Sequence, residues 1–343
     1  MSRSFLRFGL ELLQDTELLS LGALADSVRR RLHPEGRVTF INDRNINYSN
    51  IRISRCRFCA FYRGEKDAAA YLLSYEEIGR KIDEAKALGA VQILLQGGLH
   101  PGLGLEWYTG LLRYIKRRHP IHVHAFSAPE IDHIARLSGL EPERVIEELA
   151  ASGLDSIPGG GAEVLCARVR KLVSPRKIGV KRWLAIHERA HRLGLRTTAT
   201  LVYGMGERPE ELIRHLRHIR ALQERTGGFT AFIPWSFQPE HTRLREEKTT
   251  PVTYLRVLAA SRILLDNVPS IQASWVTQGP DIATLALYFG ANDFGSTMLE
   301  ENVVRAAGCN FSTMDEPTIA RLIRQAGFTP ALRRQDYSII RTL

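Results

Sequence analysis

From about residue 70 onward, two hydrophobic patterns alternate along the chain. Short runs such as VQILL (91–95), IHVHAF (121–126), RTTATLVY (196–203), GFTAFIPWSF (228–237) and IQASWV (271–276) are apolar and β-branched almost without a break. That pattern predicts buried strands. Between them lie stretches with apolar residues every third or fourth position, the signature of amphipathic helices. SYEEIGRKIDEAKALGA (74–90) begins with a capping serine, carries glutamates in its first turn and leaves through a glycine. GLEWYTGLLRYIKRRHP, EPERVIEELAASGL, KRWLAIHERAHRLGL, RPEELIRHLRHIRALQERTG, TYLRVLAASRILLDN and DIATLALYFGA repeat the helical spacing further along. Upstream, RVTFIND (37–43) reads as a first strand, preceded by the helix SLGALADSVRRRLHP, which stops at Pro34.

Strand–helix alternation sustained seven or eight times with short loops predicts an α/β fold, a single (β/α)8 TIM-type barrel. No Pro/Ser-rich linker or composition break divides it, so residues 1–40 read as an N-terminal helical extension and residues 41–343 as the barrel with its closing elements. Such barrels carry their chemistry at the carboxyl ends of the strands. The unusual clusters fall there: a cysteine loop after strand one, then QGGLHP, SAPEI, PGGGAE, YGMGE, SFQPEHT and NDFG.

Composition narrows the functional classes. The net charge is +10 with a pI near 9.7, but the basic residues are scattered over amphipathic helices. With no basic tail and no aromatic interleaving, nucleic-acid binding is not expected. No apolar run reaches membrane-spanning length, and the first twenty residues carry charges and no apolar core of a signal peptide. Four cysteines, two of them clustered, point to a reducing cytoplasm and to metal or redox chemistry.

The clustered pair is Cys56 and Cys59 in RCRFCAFYR. Zinc would want two further Cys or His ligands at comparable spacing, and the nearest histidines, His100, His122 and His124, follow other strands. An iron–sulfur cluster prefers thiolates. Elsewhere, the glycines of QGG (96–98) allow close backbone approach to a ligand or simply a tight turn. PGGGAE (158–163) can form an anion-accepting nest before a helix. Ser127 is either a ligand contact or a helix cap paired with Glu130. Asp293 can accept a hydrogen bond or a proton, or can close an Asx turn. Lys177 and Arg196 are candidate carboxylate partners that read first as solvated surface side chains.

NYSN followed by RCRFCAFYR resembles the cluster loop of radical S-adenosylmethionine (radical SAM) enzymes. In those enzymes a C-x3-C-x2-C loop holds three irons of a [4Fe–4S] cluster, and the fourth iron chelates the amino and carboxylate groups of SAM. LLQGGLHP, GLDSIPGGGAE, RVRKLVSPRKI, TTATLVYG, FIPWSFQPEHT and GANDFGSTMLEENVVRAAG resemble, in order, the branch that cyclises dehypoxanthine futalosine on the futalosine route to menaquinone. The likeness runs from about residue 5 to 335; the aminofutalosine and deazaflavin (FO) synthases are sister branches. The resemblance implies a [4Fe–4S] cluster and SAM as cofactors and a nucleoside–benzoate substrate. It also implies an electron donor such as flavodoxin or ferredoxin, and a cytoplasmic enzyme whose 5′-deoxyadenosyl radical takes the ribose C4′ hydrogen. It assigns Cys56 and Cys59 to metal, and Tyr62, Gln96, Gly97, Gly98, Ser127, Glu163 and Arg168 to cofactor binding. Asp293 and Tyr203 become the catalytic candidates.

Two departures stand against that pattern. Arg52 occupies the position of the first cluster cysteine, and a guanidinium has no lone pair for iron. Met205 stands where the resemblance leads one to expect histidine. Three readings of Arg52 stay open: a single-base change in an otherwise intact enzyme, a homologue that binds no competent cluster, or a site completed by another ligand. The preservation of every other motif favours the first.

Overall fold

The computed structural model describes residues 3–343. Helices Arg3–Leu10 and Leu18–Leu32 form the N-terminal extension, joined by a π-helical turn at Glu11–Asp15. Strand β1 starts at Arg37, so the helical part ends at Leu32 and a boundary at 40/41 falls inside a strand.

Strands β1 (Arg37–Ile41) and β2 (Asp43–Ile46) are one extended segment broken only at Asn42. They are followed by β3 (Gln92–Leu95), β4 (His122–Ala125), β5 (Ser156–Ile157), β6 (Arg196–Tyr203), β7 (Phe229–Ser236), β8 (Ser270–Ile271) and β9 (Asp293–Ser296). β2 through β8 make a seven-stranded sheet in chain order, every pair parallel. β9 closes it. The Ala273 amide donates to Asp293 O at 2.8 Å, the Asn292 amide donates to Ile271 O at 3.1 Å, and β9 pairs in parallel with β1. Counting β1/β2 as one strand, eight positions close a TIM-type barrel as the alternation predicts.

The helices follow their sequence signals closely. Tyr75–Ala87 carries the full capping box, Ser74 accepting from the Glu77 amide while Glu77 reaches back to Ser74. One expected strand differs. Of IQASWVTQG only Ile271 belongs to a strand, β8 (Ser270–Ile271), and Trp275–Gln278 turns into a helix. Ser274 hydrogen-bonds the Thr277 hydroxyl at 2.8 Å, and the buried Trp275 indole donates to Ser296 O at 2.9 Å. The serine offers the backbone a turn, and the indole is drawn into the core beneath β9.

The C-terminal hairpin, β10 (Thr329–Arg333) and β11 (Ile339–Thr342), has no counterpart in the sequence reading. β10 pairs in parallel with β1 from Arg37 to Phe40, below the point where β3 begins to pair with β2. The end of β10 and the turn after it bring Arg333, Gln335 and Tyr337 to the barrel interior. Among the described residues no helix is long and apolar enough to cross a membrane.

Several buried histidines give the fold an acid sensitivity. Burial pushes His124 and His215 down to about 3 and His191 to about 4, and drives His187 well below its usual value. A ring kept neutral in the native state contributes stability above its unfolded pKa of about 6.5 and loses it as pH falls toward the folded value. At pH 5 each fully buried ring withdraws up to about 2 kcal/mol. Unfolding at pH 5.5 is therefore expected to take up more than two protons through these four rings. Calorimetry in buffers of different ionisation enthalpy measures that uptake, and a value below one would mean that the rings are charged in the folded chain.

Candidate active site

The carboxyl ends of the barrel strands enclose a cavity of about 330 Å³, with the cysteine loop on its rim and the C-terminal turn among its lining. That volume lies within the range of small-molecule sites.

The cysteine loop is held by backbone bonds at both ends. The Arg52 amide donates to Arg63 O, Arg63 N to Asn50 O, Ile53 N to Leu99 O and Arg57 N to Val173 O. Cys56 is buried and Cys59 half-buried, and both face the cavity. Burial pushes the Cys56 thiol up, and the Lys177 ammonium opposes that rise. Arg52 shares this space. Its stem lies against Gly98, where an added Cβ would sit 2.6 Å from Arg52 Cδ and Nε. Nε donates to Gly97 O at 3.1 Å, and the guanidinium lies 5.1 Å from the Phe61 ring centre.

Glu130 organises the end of β3. One carboxylate oxygen accepts from Tyr48 Oη (2.8 Å), Gly97 N (3.0 Å) and Gly98 N (2.9 Å). The other accepts from the amide and hydroxyl of Ser127 at 2.8 and 2.6 Å. Gly97 is obligatory, because a Cβ there would lie 2.1–2.4 Å from atoms of the buried Tyr48 ring.

Glu163, at φ +43°, holds a second buried network on the cavity wall. Its oxygens meet Lys177 Nζ at 2.5 Å and Arg170 at 3.1 Å. Burial works against its charge, but Lys177 and Arg170 outweigh burial and hold Glu163 below the usual carboxylate range. Burial also opposes the charge on Lys177, while Cys56 and Glu163 hold its pKa above the ordinary value. Lys177 is therefore an interior cation and not the solvated surface residue its local sequence suggests.

The deeper wall is polar. Asp43 accepts from Gln92 at 2.8 Å and from the Ser296 hydroxyl, and Glu301 accepts from Asn45 at 2.9 Å. Burial raises the pKa of both carboxyls. Asn45 Oδ1, Gln92 Oε1 and Trp235 Nε1 are buried without a protein partner, in residues that line the cavity. Orphaned polar atoms around a cavity suit a polar ligand.

Of the sequence-derived candidates, Cys56, Cys59, Tyr62, Gln96, Gly98, Ser127 and Glu163 do line this cavity. Gly97 meets it through its neighbours, its amide and carbonyl being taken by Glu130 and Arg52. Ser127 is the helix cap and is bonded to Glu130. Three candidates are elsewhere. Arg168 points away, paired with Glu211 at 2.5 Å and with Gly206 O at 2.8 Å. Tyr203 is buried beside Tyr254 and is not part of the lining. Asp293 is fully buried and saturated, accepting from Arg333 Nε and Nη2 (2.5 and 3.1 Å), Thr39 Oγ1 (2.6 Å) and Gly295 N (2.9 Å). Met205 belongs to the core and not to the cavity. Asp43, Gln92, Glu301 and Arg333 are cavity residues that sequence reasoning missed, and Lys177, named only as a candidate carboxylate partner, is a fifth whose burial it did not foresee. The polar stretch NDRN inside a strand pattern was the available signal for Asp43.

A closed parallel barrel with a cysteine loop after its first strand, opening on a cavity of small-molecule size, is the architecture of a radical SAM type of enzyme. The chain belongs to that superfamily. The radical SAM superfamily model matches residues 53–219, and the CofH/MqnC C-terminal region matches residues 226–343. Cyclic dehypoxanthine futalosine synthase of Halalkalibacterium halodurans is 46% identical over 97% of this chain and 90% of its own length. The enzyme of the same name from Streptomyces coelicolor is 45% identical over 96% and 83%. The 5-amino-6-(D-ribitylamino)uracil–L-tyrosine 4-hydroxyphenyl transferase of Methanopyrus kandleri is 42% identical over 89% and 85%. Among solved structures, methylornithine synthase shares the fold with a TM-score of 0.73 at 19% identity, covering 95% of this chain and 93% of that one.

A [4Fe–4S] cluster and SAM are the cofactors the superfamily implies. The residues present do not fit the cluster. Cys56, Cys59 and Arg52 line the space, and among the described residues no group of three or more Cys, His, Asp or Glu is placed to hold a metal. Cys166 and Cys309 offer no third ligand. The Cys166 thiol is bonded to Glu211 at 3.1 Å and the Cys309 thiol to Val276 O at 2.6 Å.

Proposed function

We propose that this chain is a barrel of the dehypoxanthine-futalosine-cyclising kind whose cluster loop lacks one thiolate, at Arg52. The observation that carries the reading is that Arg52, a side chain with no lone pair for iron, lines the same cavity as Cys56 and Cys59. The relatives of that name, matching over nearly the whole chain, support the substrate class: a nucleoside that bears a benzoate. The polar inner wall supports it too, since its unpartnered amide and indole groups suit ribose hydroxyls. On this reading the carboxyls that face the substrate are Asp43 and Glu301. Burial raises both above the ordinary carboxylate value, while their hydrogen bonds oppose the rise. Asp293 instead is taken up by Arg333, outside the cavity lining.

The test is the variant R52C beside the unaltered chain, both reconstituted without oxygen with iron and sulfide. R52C is expected to take up about four irons per chain. Given SAM, dehypoxanthine futalosine and dithionite, or flavodoxin or ferredoxin as donor, it forms 5′-deoxyadenosine and the cyclic nucleoside. The unaltered chain forms neither. Equal product from both would mean that another group completes the site. Product from neither, with four irons bound to R52C, would reject this substrate reading.

A further inference from the structure

Among the described residues three cations line the cavity, and two of them are already paired: Lys177 with Glu163 and Arg333 with Asp293. Arg52 is the third. It uses only Nε, on Gly97 O, and its two terminal nitrogens make no hydrogen bond or ion pair among the described residues. Of the carboxylates on the same wall, Glu130 is saturated by five donors and Glu163 by its two cations. The side chain is nevertheless seated, packed on Gly98 and over Phe61. An ordered guanidinium with an open edge in a half-enclosed site is a bidentate receptor for a carboxylate.

We propose that Arg52 makes the metal-free cavity a carboxylate-binding nucleoside site, with the ligand's α-amino-acid carboxylate on the Arg52 terminal nitrogens. The class of ligand is an adenosyl amino acid, SAM or its demethylated product. The inference rests on the functional reading above for the nucleoside part of the ligand. The location favours the amino-acid end. Arg52 lies over Gly98 beside the end of β3, whereas the orphaned groups that suit a ribose are on the strands themselves, Asn45 on β2, Gln92 on β3 and Trp235 on β7. Arg52 thus takes by direct pairing the carboxylate that a cluster iron would chelate in the resembling enzymes. The same carboxylate chemistry also occurs in a benzoate-bearing substrate, so the test separates the two sources.

Titration calorimetry on chelator-treated protein compares the unaltered chain with R52A and R52K. The probes are S-adenosylhomocysteine, 5′-methylthioadenosine (which lacks the amino acid) and dehypoxanthine futalosine. R52A is expected to weaken S-adenosylhomocysteine about ten- to a hundredfold, as loss of a charged bidentate contact does. R52K falls between, and methylthioadenosine binds all three chains within about twofold. Equal S-adenosylhomocysteine affinity in the unaltered chain and R52A overturns the proposal. So does a parallel loss of methylthioadenosine, which would mark a structural effect. Selective weakening of dehypoxanthine futalosine would put the substrate's benzoate on Arg52 and overturns it as well. No arm uses iron, so failure of R52C to turn over leaves this result standing, and the reverse also holds.

Discussion

Cutting Arg333 back to alanine is expected to remove about 3–5 kcal/mol of folding stability, the cost of stranding one partner of a buried ion pair. Asp293 is 0% exposed and Arg333 2%. Without the guanidinium, Asp293 keeps only Thr39 Oγ1 and its own loop amide as donors. Arg333 also lies 4.0 Å from the Tyr337 ring centre, so the truncation loosens the turn that reaches the barrel interior. Urea unfolding followed by circular dichroism reads the loss as a lower midpoint. The double variant D293N/R333M removes both charges and should recover more than half of it. An R333A midpoint equal to that of the parent would show that the pair is not closed in solution.

Glu130→Ala is expected to be as damaging, and locally so. It leaves five donors without their acceptor: Tyr48 Oη, the amides of Gly97 and Gly98, and the amide and hydroxyl of Ser127. Each orphaned buried donor costs about 1–3 kcal/mol, less wherever water enters. Water entering the space left by the carboxylate re-satisfies most of the five, which leaves a net loss of about 3 kcal/mol together with collapse of the turn on which Arg52 rests. Adenosine-ligand affinity should fall at least tenfold even at temperatures where E130A stays folded. Glu130→Gln restores the shape but presents an amide nitrogen to donors, so it should recover only part of the stability. If E130A bound ligand like the parent, the glycine turn would be held by other means.

Much of the site was legible residue by residue. Two cysteines at metal spacing, a glycine pair at a strand end and a serine with glutamate three residues on are local patterns, and each sits where its pattern places it. What misled was assigning partners. Asp293 in NDFG looked available because the sequence cannot show that Arg333, forty residues away, occupies its carboxylate. Arg168 and Lys177 were exchanged in role. The helix Ala167–Val173 turns Arg168 toward Glu211, while the loop beyond it folds Lys177 inward onto Glu163.

The sequence by itself determined the order of strands and helices, because hydrophobic period and capping residues act within a few positions of one another. It determined equally that residue 52 can offer no thiolate, which is a matter of side-chain chemistry alone. Only the tertiary structure decided which charges meet. Barrel closure brings β9 beside β1, and the C-terminal hairpin carries Arg333 to Asp293. It also decided that Arg52, among the described residues, lines the cavity without an ion pair. Ion pairing inside a barrel depends on contacts between residues far apart in the chain, and burial makes those contacts strong enough to fix which side chains stay free for a ligand.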